Sequence, residues 1–341
     1  MPVDTRNSCS TDLFLDVEEK NMRLLTMHTI VITLVGILII LILFGNWLVI
    51  VSILKFKRMR DVQNILILSL AVCDFLIGIL ILPQTLSYEL LGYWPFGKIA
   101  CKIYLLLDIA LCTGSIWTLS MISINRYLAM KLVVRYRFFN KTKNGVVMDI
   151  IIWILSIVVC LPAVLYAVTG NDDELVCNHS EERWFILYSV SISFYIPMFL
   201  MCTMYVRVIW DFRTRLKSST ANQALLKKEK KLNTLVGLTM AAFVICWFPF
   251  FQVYLVRVIC PTCCVPPTLM KFFEWFGYVN CALNPIIYSS NEKEFRNAFK
   301  LILRTKNRIE PSTRAMYEEL QIPRDRTPEF VTRNENCTTI T

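Results

Sequence analysis

Two acids stand in stretches of the chain that are otherwise apolar, Asp74 and Asp108. A charge at membrane depth is expensive, so each is a candidate for binding or switching. Asp108 lies 18 residues before Arg126, ~27 Å of helix at roughly 1.5 Å per residue. The acid therefore sits near one mouth of a membrane helix and the arginine at its other surface. A carboxylate in a partly dry pocket suits an ammonium ion, paired and hydrogen-bonded. Ser189 and Ser193 are four residues apart on one helix face, just before Pro197. Their hydroxyls would bond the polar end of a ligand whose amine rests on Asp108. Trp247, Phe250 and Phe251 surround Pro249, and Trp275 lies three residues before Tyr278. Aromatic faces near a cation add cation–π attraction and grip a flat ring.

Such residues need long apolar helices to hold them, and the composition supplies those. Of 341 residues, 55% are hydrophobic and 18% charged, and the mean hydropathy is +0.52. Soluble domains carry about 25% charged residues and lack long uncharged runs. Here seven runs have the length that a bilayer requires: Met27–Leu54, Asn64–Leu90, Ile99–Met130, Val146–Val168, Trp184–Trp210, Leu232–Ile259 and Leu269–Ser289. The expected fold is an all-α membrane protein, a seven-transmembrane helix bundle. The first run exceeds a signal-peptide core and no small-residue cleavage site follows it, so it reads as retained. The net charge of +10 is concentrated after spans one, three, five and seven, as in Lys55, Lys57, Arg58 and Arg60. Asp172, Asp173, Glu174, Glu181 and Glu182 occupy an alternate loop. By the positive-inside rule the N-terminus is outside and the C-terminus cytoplasmic. The basic charge is an orientation signal, and no nucleic-acid partner is expected.

Residues 1–26 read as an extracellular N-terminus and 27–290 as the seven-transmembrane domain. Residues 291–304 read as an amphipathic eighth helix on the inner leaflet, with Phe295, Phe299, Ile302 and Leu303 on one face. Residues 305–341 are polar, with Pro311, Pro323 and Pro328, and read as a disordered cytoplasmic tail. Cys101 opens span three and Cys177 lies in the acidic loop before span five, both on the oxidising side. A disulfide between them would pin that loop over the bundle. Cys260 with Cys263 or Cys264 could close a small ring. The chain has only two histidines, His28 and His179, and no metal site is expected there. Asn178-His-Ser is a glycosylation sequon on the outer side.

The spans also carry short signatures in a fixed order. They are Gly45-Asn46, Leu70-Ala71-Val72-Cys73-Asp74, and Trp94-Pro95-Phe96-Gly97 ahead of Cys101. Asn125-Arg126-Tyr127, Trp153, and Pro197 with Tyr205 follow. Cys246-Trp247-Phe248-Pro249 and Asn284-Pro285-Ile286-Ile287-Tyr288 complete the set. Each string is common alone; the whole set, each in its proper span, is specific. From about Leu41 to Leu303 the chain resembles the rhodopsin-like (class A) G-protein-coupled receptors. Within that class, Asp108, Phe250–Phe251, and Trp275 with Tyr278 resemble the biogenic-amine receptors. The resemblance implies a small protonated amine: dopamine, octopamine, tyramine, noradrenaline or serotonin, with Ser189 and Ser193 against its phenol, catechol or indole. Leu111-Cys112-Thr113, Ile122-Ser123 and Tyr136-Arg137 resemble histamine receptors of the third and fourth subtypes, which carry an acid where Ser193 stands. Cys112 is counted with the ligand-binding residues, and a histamine receptor is the alternative reading.

The resemblance further implies a switch. Agonist would shift the bundle toward one helix arrangement, with Pro249 kinking span six into a lever. Ile116, Pro197 and Phe243 would repack, and Tyr205 and Tyr288 would move toward Arg126 to open a cavity for a heterotrimeric G protein. Arrestin, receptor kinases and membrane lipid are the other implied partners. Asp74, Ser115, Asn280 and Asn284 match the family's sodium pocket, whose oxygen ligands suit a hard cation; no other cofactor is expected. Asn125 departs from the usual aspartate, which would pair with Arg126 at rest; Glu229 is expected to supply a second clasp on Arg126. Raised basal signalling follows as an expectation, and an orphan class A receptor with raised basal activity is a further alternative reading. Val133 stands where many amine receptors have proline, at the G-protein face. The region after the amphipathic helix lacks a cysteine for a palmitoyl anchor. An enzyme is not expected, since no nucleophile–base pairing or phosphate loop is visible. A transporter would show internal repeats and broken helices. An opsin needs a mid-span lysine in span seven, where Lys271 lies only at the outermost end.

Overall fold

The computed structural model describes residues 17–132, 136, 142–169, 175–177, 182–216, 223–260, 263, 265–304 and 311–322. Among them the architecture is all-α. The helices are α1 (Val17–Lys55), α2 (Val62–Leu91), α3 (Gly97–Lys131), α4 (Thr142–Thr169), α5 (Arg183–Leu216), α6 (Gln223–Ile259), α7 (Pro267–Asn291), α8 (Lys293–Leu303) and α9 (Pro311–Gln321). Six of them, α1 to α6, are long and apolar enough to cross a membrane. α7 interrupts its apolar run with Lys271, Glu274, Asn280 and Asn284. It packs on α6 and α1, where Asn280 and Asn284 are buried, and completes a seven-helix bundle.

Large apolar side chains point outward as well as inward. Leu34, Ile40, Phe199, Trp210 and Ile245 are all exposed, which is stable where the surroundings are lipid rather than water. Lipid removes the hydrophobic drive between helices, so polar side chains act as the glue. Asn46 Nδ2 donates to the carbonyls of Ile42 at 2.9 Å and Cys281 at 3.0 Å, tying α1 to α7. Trp153 Nε1 donates to Ser69 Oγ at 3.1 Å between α4 and α2.

Two widened π-helical turns, Ile77–Ile81 in α2 and Ser191–Tyr195 in α5, each precede a proline, Pro83 and Pro197. A proline lacks an N–H and its ring crowds the carbonyl four residues earlier. A wider turn absorbs that misfit, and such turns gather at functional positions. The one in α5 contains Ser193 and Phe194, both buried.

At one end of the bundle, Cys101 at the start of α3 is bonded to Cys177, which lies before α5. The Trp94 N–H donates to the Leu175 carbonyl at 2.8 Å, and Tyr88 Oη accepts from the Cys177 N–H at 3.3 Å. Residues 175–177 are thereby fixed over α2 and α3. Cys260 is bonded to Cys263; Cys264 and the Asn178 sequon lie outside the described residues. The opposite end is basic and carries the amphipathic α8, whose Phe295 is fully buried and stacks on Tyr288 with ring centres 5.5 Å apart.

Two expectations about the ends of the chain are corrected. α1 begins at Val17, ten residues before the apolar run, because Val17–Thr26 lacks glycine and proline and extends the helix. Within the segment expected to be disordered, Pro311–Gln321 forms α9. Leu320 of α9 is buried, Tyr317 meets the Phe56 ring edge-on at 5.9 Å, and Glu319 lies 3.7 Å from Arg58. Arg58 also pairs with Glu294 of α8 at 3.1 Å. A few apolar anchors and one shared arginine suffice to dock a polar helix.

Candidate functional site

At the disulfide end a cavity of about 640 Å³ opens among α2, α3, α5, α6 and α7. Asp108 and Cys112 line it from α3, one turn apart. Asp108 Oδ1 accepts from the Tyr278 hydroxyl at 2.9 Å, and the Cys112 thiol points at the same oxygen from 3.8 Å. Donors that converge on one carboxylate oxygen orient it. Ser189 and Ser193 line the wall that α5 provides. Ser193 Oγ accepts from Thr113 Oγ1 at 3.0 Å, which fixes its rotamer and leaves its own proton to be donated.

The aromatic residues form a continuous floor and wall. Trp247, Phe250 and Phe251 line the cavity together with Tyr278. Phe251 stacks on Phe194 at 4.0 Å, and Trp247 meets Tyr278 edge-on at 5.6 Å. Trp275 is different from its expected place: it is not among the lining residues. Its Nε1 donates to Glu89 Oε2 at 2.9 Å, and its ring packs edge-on against Tyr278 at 5.9 Å. It braces Tyr278 from behind.

Two further acids line the cavity, Glu89 of α2 and Glu274 of α7. Neither stands out in the sequence, since each lies near a span end, where acids are ordinary. Their register was the available signal. Glu274 is one turn from Tyr278, and hence on the same face as a residue already singled out.

Below the cavity, Asp74, Asn280 and Asn284 are buried in the bundle with Ser115. Asn284 Nδ2 donates to Asp74 Oδ2 at 2.8 Å. Asp74 Oδ1, Ser115 Oγ, Asn280 Oδ1 and Asn284 Oδ1 are all buried without a hydrogen-bond partner. Orphaned buried oxygens are costly, and here several surround one carboxylate.

The residues expected to switch form a column toward the basic end. Ser120 Oγ donates to the carbonyls of Ile116 at 3.0 Å and Pro197 at 2.9 Å, joining α3 to α5. Phe243 packs on Phe194 at 6.1 Å. Tyr205 reaches α6, where its hydroxyl donates to the Asn233 carbonyl at 3.3 Å. Tyr288 is buried on α7 with its hydroxyl unbonded. Asn125, which precedes Arg126 and Tyr127, accepts from the Tyr136 hydroxyl through Oδ1 at 3.0 Å, and its Nδ2 is buried without a partner. Glu229 pairs with Arg215 of α5 at 3.6 Å. The expected clasp of Glu229 on Arg126 is thus replaced: Arg215, long and on the facing helix, reaches the carboxylate.

This geometry agrees with what known proteins share with the chain. Residues 45–288 match the model of the 7 transmembrane receptor (rhodopsin family). The chain belongs to that family: it is a receptor, not an enzyme, and a multi-pass protein of the plasma membrane. Its relatives include the alpha-2A adrenergic receptor of Danio rerio, 30% identical over 81% of this chain and 92% of that protein. The alpha-1A adrenergic receptor of Mus musculus is 33% identical over 80% of this chain and 67% of its own length. The histamine H2 receptor of Homo sapiens is 31% identical over 88% of both.

Proposed function

We propose that the chain is a G-protein-coupled receptor for a small protonated biogenic amine of the dopamine, octopamine, tyramine or serotonin type. The observation that carries this reading is Asp108, oriented by Tyr278 in a cavity walled by Trp247, Phe250 and Phe251. An ammonium on Asp108 would find an aromatic surround, and Ser189 and Ser193 lie on the α5 wall for a phenolic or indolic group. Adrenergic relatives at about the same identity support an arylethylamine. Histamine is the second reading, supported by the human H2 relative. The test is a panel of monoamines and histamine on cells that express the receptor, wild type beside Asp108→Ala. Silence to every amine, or a normal response from Asp108→Ala, would remove the assignment.

In this reading the disulfide end is extracellular and the basic end cytoplasmic, as charge asymmetry favours. Agonist binding the contracted cavity better than the open one would shift the bundle population. The shift would pass through Ile116, Pro197 and Phe243 to Tyr205, Tyr288 and Arg126, where a heterotrimeric G protein engages, with arrestin and receptor kinases as later partners. Asp74, Ser115, Asn280 and Asn284 would hold a sodium ion, since their unbonded oxygens are the ligands a hard cation takes. Asn125 cannot offer Arg126 a charge, so the resting state leans on other contacts and basal signalling is raised.

A further inference from the structure

We propose that the cavity takes a dication: one ammonium on Asp108 and a second on Glu274, joined by a short arm. The inference rests on the amine reading and narrows its ligand class. Glu274 lines the same cavity as Asp108. It precedes Tyr278, the donor to Asp108, by four residues, which is about 6 Å of helix rise toward the disulfide end. Asp108 of α3 and Glu274 of α7 thus line the same cavity, Glu274 nearer its mouth, and Ser189 and Ser193 line it from α5.

The charge neighbours of Glu274 are Asp108 and Glu89, which repel it, and Lys271, which attracts it. Among the described residues Glu274 has no hydrogen bond and no ion pair. Glu89 is satisfied: Trp275 Nε1 donates to Oε2 at 2.9 Å, and Lys271 Nζ lies 4.0 Å from Oε1. Lys271 is therefore shared with another acid, and its side chain is 53% exposed. Arg183, the other cation of the lining, is exposed as well. Both cations sit in water, where their fields are screened, while Glu274 is partly buried and has only the shared Lys271 to attract it.

A ligand with one ammonium neutralises Asp108 alone and leaves Glu274 with only the shared, exposed Lys271. A second ammonium on an arm from the amine nitrogen would supply a closer counter-charge. That arm runs toward the mouth, opposite to the ring held by Phe250 and Phe251, so the aromatic half of the ligand need not change. Selectivity then comes from charge count: monoamines fill one acid and leave the other to the shared lysine.

The test uses the full-length receptor purified in detergent and two ligands with the same three-carbon arm, N-aminopropyl tyramine and N-propyl tyramine. They differ in one terminal ammonium. Binding is read by the shift in melting temperature across a concentration series. The aminopropyl compound is expected to bind about tenfold more tightly, as one charge-assisted contact provides. In Glu274→Gln the difference closes, and the propyl compound binds as it does to wild type. Asp108→Asn weakens both. Equal affinities at wild type, or a difference that survives Glu274→Gln, overturn the dication and leave the amine reading intact. Failure of both compounds together with the whole amine panel overturns that reading as well.

Discussion

Arg215 of α5 pairs with Glu229 of α6 at 3.6 Å, and the same guanidinium donates to the Met130 carbonyl at the end of α3. One side chain thus bridges three helices at the basic end of the bundle. Glu229 Oε2 has no other partner. Removing the arginine takes away this tie of α6 to α3 and α5. Half-buried pairs of this kind contribute ~0.5–1 kcal/mol, so Arg215→Ala should raise agonist-free G-protein turnover about two- to fivefold. Nucleotide exchange in membranes, at matched receptor density, measures it; no rise would mean the bridge does not hold the resting state.

Asn125 tests the same balance from the other side. Its Nδ2 is buried and unbonded, while Oδ1 holds Tyr136. Asn125→Asp keeps the acceptor for Tyr136 and places a charge next to Arg126 in the chain. Basal signalling should fall at least about twofold, from ~0.5 kcal/mol of added resting-state preference. An unchanged basal level at equal surface expression would count against the weakened resting state.

The Tyr278 hydroxyl orients Asp108 and is the donor nearest the proposed ammonium. Tyr278→Phe preserves the ring contacts with Trp247 and Trp275 and deletes one hydrogen bond to a charged group, worth ~1.5–3 kcal/mol. Agonist potency should drop about tenfold or more with surface expression intact, whereas Asp108→Ala should abolish the response. Dose–response curves for the two variants side by side separate positioning from pairing.

Sodium should lower agonist affinity in wild type, because an ion among Asp74, Ser115, Asn280 and Asn284, as proposed, would favour the uncontracted bundle. In Asp74→Asn that dependence should vanish, with choline as the control cation. A sodium effect that persists in Asp74→Asn would place the ion elsewhere.

A Cβ at Gly277 would stand 2.7, 2.8 and 2.9 Å from three atoms of the Trp247 ring. The ring is held by contacts with Phe250, Phe251 and Tyr278, which its displacement would disturb. Gly277→Ala should cost ~1–3 kcal/mol by overpacking, seen as a lower melting midpoint in detergent.

Most of the bundle is legible in the chain because lipid demands long uncharged runs, and one acid inside such a run is conspicuous. Asp74 and Asp108 stand out for that reason. Glu274 does not: it lies near the start of a helix that already tolerates Lys271, and its meaning depends on the cavity it faces. Glu229 shows a different limit. Sequence pattern places it beside the basic end of α3, but side-chain reach decides between Arg126 and Arg215, and reach is a property of the packed helices. Trp275 illustrates the same point, since its spacing from Tyr278 is right and its ring nevertheless faces Glu89. α9 was hidden by composition. A polar eleven-residue helix is marginal alone, and only its docking on Phe56 and Arg58 gives it a reason to form.

That docking has a bearing on how the protein can be handled. Arg58 holds carboxylates from both α8 and α9, and Phe56 lies under Tyr317. A truncation made after α8 would strip Phe56 of its cover and leave an arginine half engaged. A fusion partner joined after residue 322 would emerge beside the turn between α1 and α2, close to the membrane surface, instead of hanging clear of it. Reporters placed there would register motions of the first connecting turn along with those of α6.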